Sequence, residues 1–168
     1  FRRLEMWEGP LAPWWIEEAY KYYLVSIRTM DLGYVSDVNA ALSLEILFKS
    51  FLCIEKCGEG NQPKLSFDLS RLNGNYMVKG ISKGHDLYLL AKSLPDDIQE
   101  VFFQESDYEF LQRRRDTFVS SRYLYERKNR TGSSNILSNL AIEYIEKAVS
   151  LYKLRGCTDW WILNYPKI

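Results

Sequence analysis

His85 is the only histidine of the chain, and histidine is the side chain that ordinarily titrates near neutral pH. It follows Gly84 at a predicted helix start, where it can act as a general base, contact a phosphate, cap the helix or bond a neighbouring carbonyl. Arg122 and Glu126 are four residues apart and share one helix face, which indicates either a buried ion pair or a phosphate ligand. The candidates for a catalytic role are therefore Arg122, His85 and Glu126.

A second polar group lies earlier in the chain, where Glu45 precedes Lys49 by four residues. This order favours an ion pair on one helix face. Inside a helical bundle the pair would meet Arg122 and Glu126, whereas on the surface it would be a plain ion pair that contributes about 0.5 kcal/mol or less. The predicted polar cluster consists of Glu45, Lys49, His85 and Tyr123.

The strongest local positive charge is an arginine run at 113–115, which is followed by further basic residues at 127, 128 and 130. Arg115 and Arg122 recur at seven-residue spacing with Asn129, so on a continuous helix they form one stripe. This stripe either faces RNA phosphates or is a solvated helix face that nearby acidic residues balance. The residues predicted to contact RNA or a partner are Arg115, Arg122 and Lys128.

Several other chemistries have no support in the sequence. It contains no glycine-rich phosphate loop and no G-x-S-x-G nucleophile motif, and one histidine excludes a multi-histidine metal site. The paired carboxylates at 17–18 and 96–97 are typical of solvated helix faces. A small-molecule or nucleotide pocket lined by the many aromatic side chains has no specific signal either, because aromatics at helical spacing usually form a core. We therefore expect no metal and no cofactor.

Composition limits the classes of protein to which the chain can belong. The 168 residues fit a single domain, with an arm at 1–12, a bundle at 14–155 and a tail at 156–168. Lys plus Arg and Asp plus Glu are 22 each, which argues against a globally basic nucleic-acid binder but not against a local basic patch. The apolar runs are too short for a membrane span. Three cysteines at irregular spacing favour a reducing, cytoplasmic location.

The elements that position these residues are predicted from apolar periodicity and capping residues. The pattern predicts an all-α, antiparallel up-and-down bundle of about five helices, with a long loop or short hairpin between the second and third. The second helix begins at a Ser36 or Asp37 cap and runs to about residue 56. The loop carries a turn signal at Asn73-Gly74, and Trp160 and Trp161 of the tail pack back on the bundle. The five helices are predicted at 14–30, 36–56, 84–93 with a continuation at 95–103, 108–128 after a Ser106 or Asp107 cap, and 135–154.

Three segments, taken in order, resemble the HEPN (higher-eukaryote and prokaryote nucleotide-binding) domains. They are N-A-A-L-S-L-E-I-L-F-K-S-F-L at 39–52, G-H-D-L-x-x-L at 84–90 and F-V-x-x-R-Y-x-Y-E at 118–126. The resemblance covers residues 14–155 and implies an all-α bundle that commonly dimerises. Active HEPN ribonucleases carry an arginine followed four to six residues later by a histidine, and two copies of this pair meet across the dimer without metal. Arg122 matches the arginine, but Glu126, Arg127 and Lys128 occupy the positions of the histidine.

The resemblance implies two alternative functions. The first is a HEPN-like domain that lacks the usual ribonuclease motif. Such a domain is a non-catalytic, dimerising module that binds RNA or a protein partner in a prokaryotic defence or toxin–antitoxin system, and a nucleotidyltransferase-type antitoxin is one such partner. The second is a divergent metal-independent endoribonuclease that uses Arg122 with His85 or Glu126.

Overall fold

The computed structural model describes residues 7–122 and 135–165, and for Ser121 and Arg122 it describes only the backbone. This part of the chain is mainly helical with one two-stranded sheet, which confirms the predicted all-α class, although the helices outnumber the five expected. None of these helices has the length and hydropathy that crossing a bilayer requires. The elements are α1 (Pro13–Arg28), α2 (Tyr34–Phe51), β1 (Cys53–Cys57), β2 (Pro63–Phe67), α3 (Leu87–Ser93), α4 (Asp96–Phe102), α5 (Glu105–Arg113), α6 (Thr117–Arg122), α7 (Ile136–Leu154) and α8 (Trp160–Asn164).

Contacts of buried serine hydroxyl groups show how the three long helices run relative to one another. The Ser43 Oγ of α2 donates to the Ala19 carbonyl in the middle of α1 at 2.6 Å, and the Ser36 Oγ donates to the Ser26 carbonyl near the end of α1 at 2.8 Å. The start of α2 thus lies beside the end of α1, so the two helices are antiparallel. Ser138 at the start of α7 contacts the same Ser26, Oγ to Oγ at 3.0 Å, so α7 runs antiparallel to α1 as well.

The ends of α7 are where the sequence predicts them. The helix follows Asn135, and its last turn is closed by Gly156, which adopts a φ of +75° that side chains with a Cβ rarely accept. The tail then turns back as α8. Trp161 is buried against Tyr20 of α1 at a ring distance of 5.5 Å, whereas Trp160 is 68% exposed, so only one of the two tryptophans packs on the bundle as predicted.

Aromatic rings fill the space between α2, α4 and α7. Phe51 meets Phe102 edge to face at 5.2 Å, Phe102 stacks on Tyr144 at 5.7 Å, and Phe48 meets Phe103 at 5.6 Å. All except Phe103 are at most 1% exposed. Edge-to-face and offset pairs each add about 0.5–1.5 kcal/mol beyond the burial of their area. The high aromatic content of the chain is therefore largely a property of its core.

The second helix is shorter than predicted, and the hairpin lies earlier in the chain. α2 ends at Phe51 rather than near residue 56, because the next residues pair with β2 in the antiparallel register Cys53↔Phe67 to Cys57↔Pro63. The prediction of a hairpin turn at Asn73-Gly74 is wrong. The Asn73 side chain instead accepts from the Asn75 N–H at 3.1 Å and starts a single 3-10 turn.

The predicted helix at 108–128 is broken. α5 begins earlier, with a capping box in which Gln104 and Asp107 exchange side-chain bonds to the backbone, so the predicted Ser106 or Asp107 cap is displaced. It ends at Arg113, and α6 begins only at Thr117. In the break, the Arg115 carbonyl accepts from the Leu87 N–H at 3.0 Å, a contact with the start of α3. The part of the prediction beyond residue 122 lies outside the described residues.

The two ends of β1 should differ in thiol reactivity. Burial raises the pKa of the Cys53 thiol to about 11, and its Sγ donates to the Ser50 carbonyl at 3.0 Å, whereas Cys57 is exposed. Because the thiolate is the nucleophile, iodoacetamide near pH 8 should alkylate Cys57 of the native protein well before Cys53. Peptide mass spectrometry after timed quenching measures both sites. If the two thiols reacted at equal rates, the strand would not begin buried as described.

Candidate functional site

The centre of the candidate site is a contact between His85 and Glu45. His85 closes the 3-10 turn Lys83–His85 directly before α3, and Glu45 lies in the second half of α2. The His85 Nδ1 and the Glu45 Oε2 are 2.9 Å apart. The glutamate side chain is only 4% exposed, whereas the imidazole is 37% exposed. A buried carboxylate therefore holds a ring that still reaches the surface.

Lys49 completes the charge balance of this cluster. Its Nζ donates to the Glu45 Oε1 at 2.6 Å and lies 4.9 Å from the centre of the Phe67 ring, which belongs to β2. The lysine side chain is 17% exposed, so the pair is not the plain surface ion pair that the sequence left open. Each oxygen of Glu45 thus has its own partner, and three of the four residues predicted for the polar cluster come together.

The direction of the hydrogen bond between His85 and Glu45 follows from the chemistry of a carboxylate. An ionised carboxylate only accepts hydrogen bonds, so the hydrogen between the two residues belongs to Nδ1. In the neutral ring the lone pair is then on Nε2, which has no hydrogen-bond partner among the described residues. A histidine oriented in this way by a carboxylate can accept a proton at Nε2, or donate one after protonation.

α6 lies alongside this cluster. The Phe118 ring packs on the His85 ring at 4.8 Å with a tilt of 33°. Arg122 follows Phe118 by four residues in the same helix, which is one helical turn. The backbone thus brings the arginine of the HEPN-like motif into the neighbourhood of His85. Tyr123, Glu126 and Lys128 lie outside the described residues.

Arg115 does not have the surface position predicted for it. Its guanidinium forms a fork with the Asp86 carboxylate, with contacts of 2.6, 3.1 and 3.1 Å, and also donates to the Tyr76 carbonyl at 2.9 Å. The arginine side chain is 13% exposed and the aspartate 1%. Because the helix is broken at 114–116, the predicted stripe through Arg115 and Arg122 does not form, and Arg115 faces inward rather than towards RNA.

Another arginine of the 113–115 run supports the alternative of a solvated face. Arg113 pairs with Glu109 at 3.3 Å, and their side chains are 75% and 63% exposed. The sequence analysis did not find the Asp86–Arg115 pair, because the two residues are 29 positions apart and no local pattern joins them. The available signal was an acidic residue directly before the apolar run that begins at Leu87, where a buried charge needs a cationic partner.

Within residues 7–122 and 135–165, no group of three or more histidine, cysteine, aspartate or glutamate side chains is arranged to hold a metal ion. Comparison of the chain with models of known families, with curated proteins and with solved structures finds no match. The likeness to HEPN domains therefore stands on the three sequence segments.

Two arginines of the 113–115 run, Arg113 and Arg115, should differ sharply in their effect on stability. Arg115→Ala leaves the Asp86 carboxylate buried without its cation, and breaking a buried pair from one side costs about 3–5 kcal/mol. Arg113→Ala removes an exposed pair and should change the free energy of unfolding by about 0.5 kcal/mol or less. Urea unfolding of both variants measures the difference. Equal effects would mean that the Asp86 pair does not hold the fold.

Proposed function

We propose that this chain is a HEPN-like, dimerising module that binds RNA at the Glu45–Lys49–His85 cluster beside α6, without cleaving it. The single observation that carries the proposal is the half-exposed His85 ring, which a buried glutamate holds so that Nε2 is left without a partner among the described residues. The proposal places this cluster in a prokaryotic defence or toxin–antitoxin system. A nucleotidyltransferase-type antitoxin is then the protein partner that the resemblance suggests.

Two features support binding rather than cleavage. His85 is the only histidine of the chain, and it precedes α3 instead of following Arg122 on the helix of the family's catalytic pair. The charge of Glu45 is already balanced by Lys49 at 2.6 Å. Protonation of His85 would then give the cluster a net positive charge, which favours a phosphate group.

A binding experiment tests this proposal directly. Labelled tRNA and single-stranded RNA are titrated with the protein in EDTA, and fluorescence anisotropy gives the Kd. His85→Gln and Arg122→Ala should each weaken binding by about tenfold or more, which is the loss of one hydrogen bond to a charged group. Lys83→Gln is the matched control, because it removes a cation from the same turn without touching Glu45. Its Kd should stay within about twofold of the parent value.

The outcomes distinguish RNA binding at the cluster from RNA binding to general surface charge. If Lys83→Gln weakens binding as much as His85→Gln, the RNA recognises surface charge and not the cluster. Circular dichroism and the melting temperature of each variant show whether the fold survives the change. Sedimentation of the purified chain tests the dimer, and a strictly monomeric protein would contradict that part of the proposal.

A second candidate function is metal-independent RNA cleavage, and the orientation of His85 favours it. With Nδ1 donating to Glu45, Nε2 is placed to accept the proton of a ribose 2′-OH while an arginine stabilises phosphate charge. In that case the parent protein degrades the same RNAs in EDTA, and His85→Gln slows the reaction by about 100-fold or more. Intact RNA after long incubation with the parent would leave binding as the function.

A further inference from the structure

An aromatic cleft lies between α1 and α2, on the side where Lys49 reaches the surface. Its volume is about 410 Å³, which falls within the usual range for small-ligand sites. The cleft is open to solvent along one side. The residues that line it are Trp14, Trp15, Glu18, Tyr22, Ile46 and Lys49.

The aromatic side chains of this cleft differ from those of the core. Trp14 is 55% exposed, and Trp15 and Tyr22 are only half-buried. Core rings such as Phe51 contact other rings at 4.9–6.0 Å, whereas none of these three forms a ring pair within the described residues. Trp14 also lies outside the buried face of α1, which carries Ile16, Ala19 and Ser26, so packing of the bundle does not account for it. Flat π faces that are left unpartnered at a surface are what a stacking ligand uses.

The polar groups of the cleft are one carboxylate and one ammonium group. Glu18 is exposed and lies 2.7 Å from Lys21, which also pairs with Glu17 at 3.1 Å, so one cation serves two carboxylates and the Glu18 oxygens can still accept an N–H. The ammonium group belongs to Lys49, the same lysine that pairs with Glu45 in the polar cluster. The cleft and the cluster of Glu45, Lys49 and His85 therefore have Lys49 in common.

We propose that this cleft binds a nucleobase of single-stranded RNA, stacked on Trp14, Trp15 or Tyr22, and so directs the attached ribose and phosphate towards Lys49 and His85. This inference rests on the proposed function and names the part of the RNA that the module recognises. A planar, uncharged ring can stack on the aromatic faces while its N–H groups donate to the Glu18 carboxylate.

The test uses a labelled eight-nucleotide oligoadenylate and, as its partner probe, the same strand with one abasic position. We expect Trp14→Ala to weaken binding of the intact strand by about 5- to 150-fold, the effect of losing one base–aromatic stack. Trp14→Phe should restore part of the affinity, since it returns an aromatic face. Trp160→Ala is the matched control, because that tryptophan is 68% exposed but belongs to α8 and does not line the cleft. It should bind like the parent.

The abasic strand measures how much a single base contributes to the affinity. If the cleft holds a base, the abasic position weakens binding to the parent, and Trp14→Ala causes little further loss on that strand. Equal losses on both strands, or an unchanged Kd in Trp14→Ala, would overturn the proposal while RNA binding itself remains.

Mononucleotides distinguish failure of the cleft from failure of the RNA function. AMP, GMP, CMP and UMP are titrated calorimetrically into the parent, Trp14→Ala and Trp160→Ala. If the parent binds no RNA but binds a mononucleotide in a manner that Trp14→Ala abolishes, the cleft is a free-nucleotide site and the RNA function is wrong. If neither RNA nor any mononucleotide binds, both proposals are overturned.

Discussion

The contact between Asp86 and Arg115 is the constraint on which the candidate site depends. The Asp86 carboxylate caps α3 by accepting from the Leu89 N–H at 3.0 Å, and it receives the guanidinium fork of Arg115 from the break between α5 and α6. The same guanidinium reaches the Tyr76 carbonyl in the loop after β2, and the Arg115 carbonyl accepts from the Leu87 N–H. One ion pair thus joins three parts of the chain at the residue next to His85.

Its importance is positional more than energetic. A buried ion pair recovers little net free energy, because the desolvation of both charges offsets most of their attraction. The Asp86 pair nevertheless ties the start of α3 to the break between α5 and α6, directly beside His85. The aromatic core packs against the same helices from the other side, with Phe48 and Phe51 of α2 fully buried. The imidazole is held between Glu45 of α2 and Phe118 of α6.

Local signals in the sequence predict much of the helical framework but not its interruptions. Pro13 and Gly156 mark helix ends because their backbone preferences act within one turn. The end of α2 was misplaced because the pairing of β1 with β2 is a contact between separate segments, which periodicity does not register. The predicted stripe through Arg115 does not form for a related reason. Residues seven apart lie on one face only if the helix between them is continuous, and this helix is interrupted between α5 and α6. The pairing of Glu45 with Lys49 could be predicted because both residues lie on one helix, whereas the contact with His85 needed the fold.

Glu45 couples the aromatic cleft to the imidazole of His85. Its Oε1 holds Lys49 at the cleft, and its Oε2 holds His85, so a ligand that draws Lys49 away leaves one carboxylate oxygen without its cation. Because that carboxylate is only 4% exposed, the loss of either partner leaves a buried charge without full compensation. Glu45 therefore joins the lining of the cleft to the His85 ring through one buried side chain.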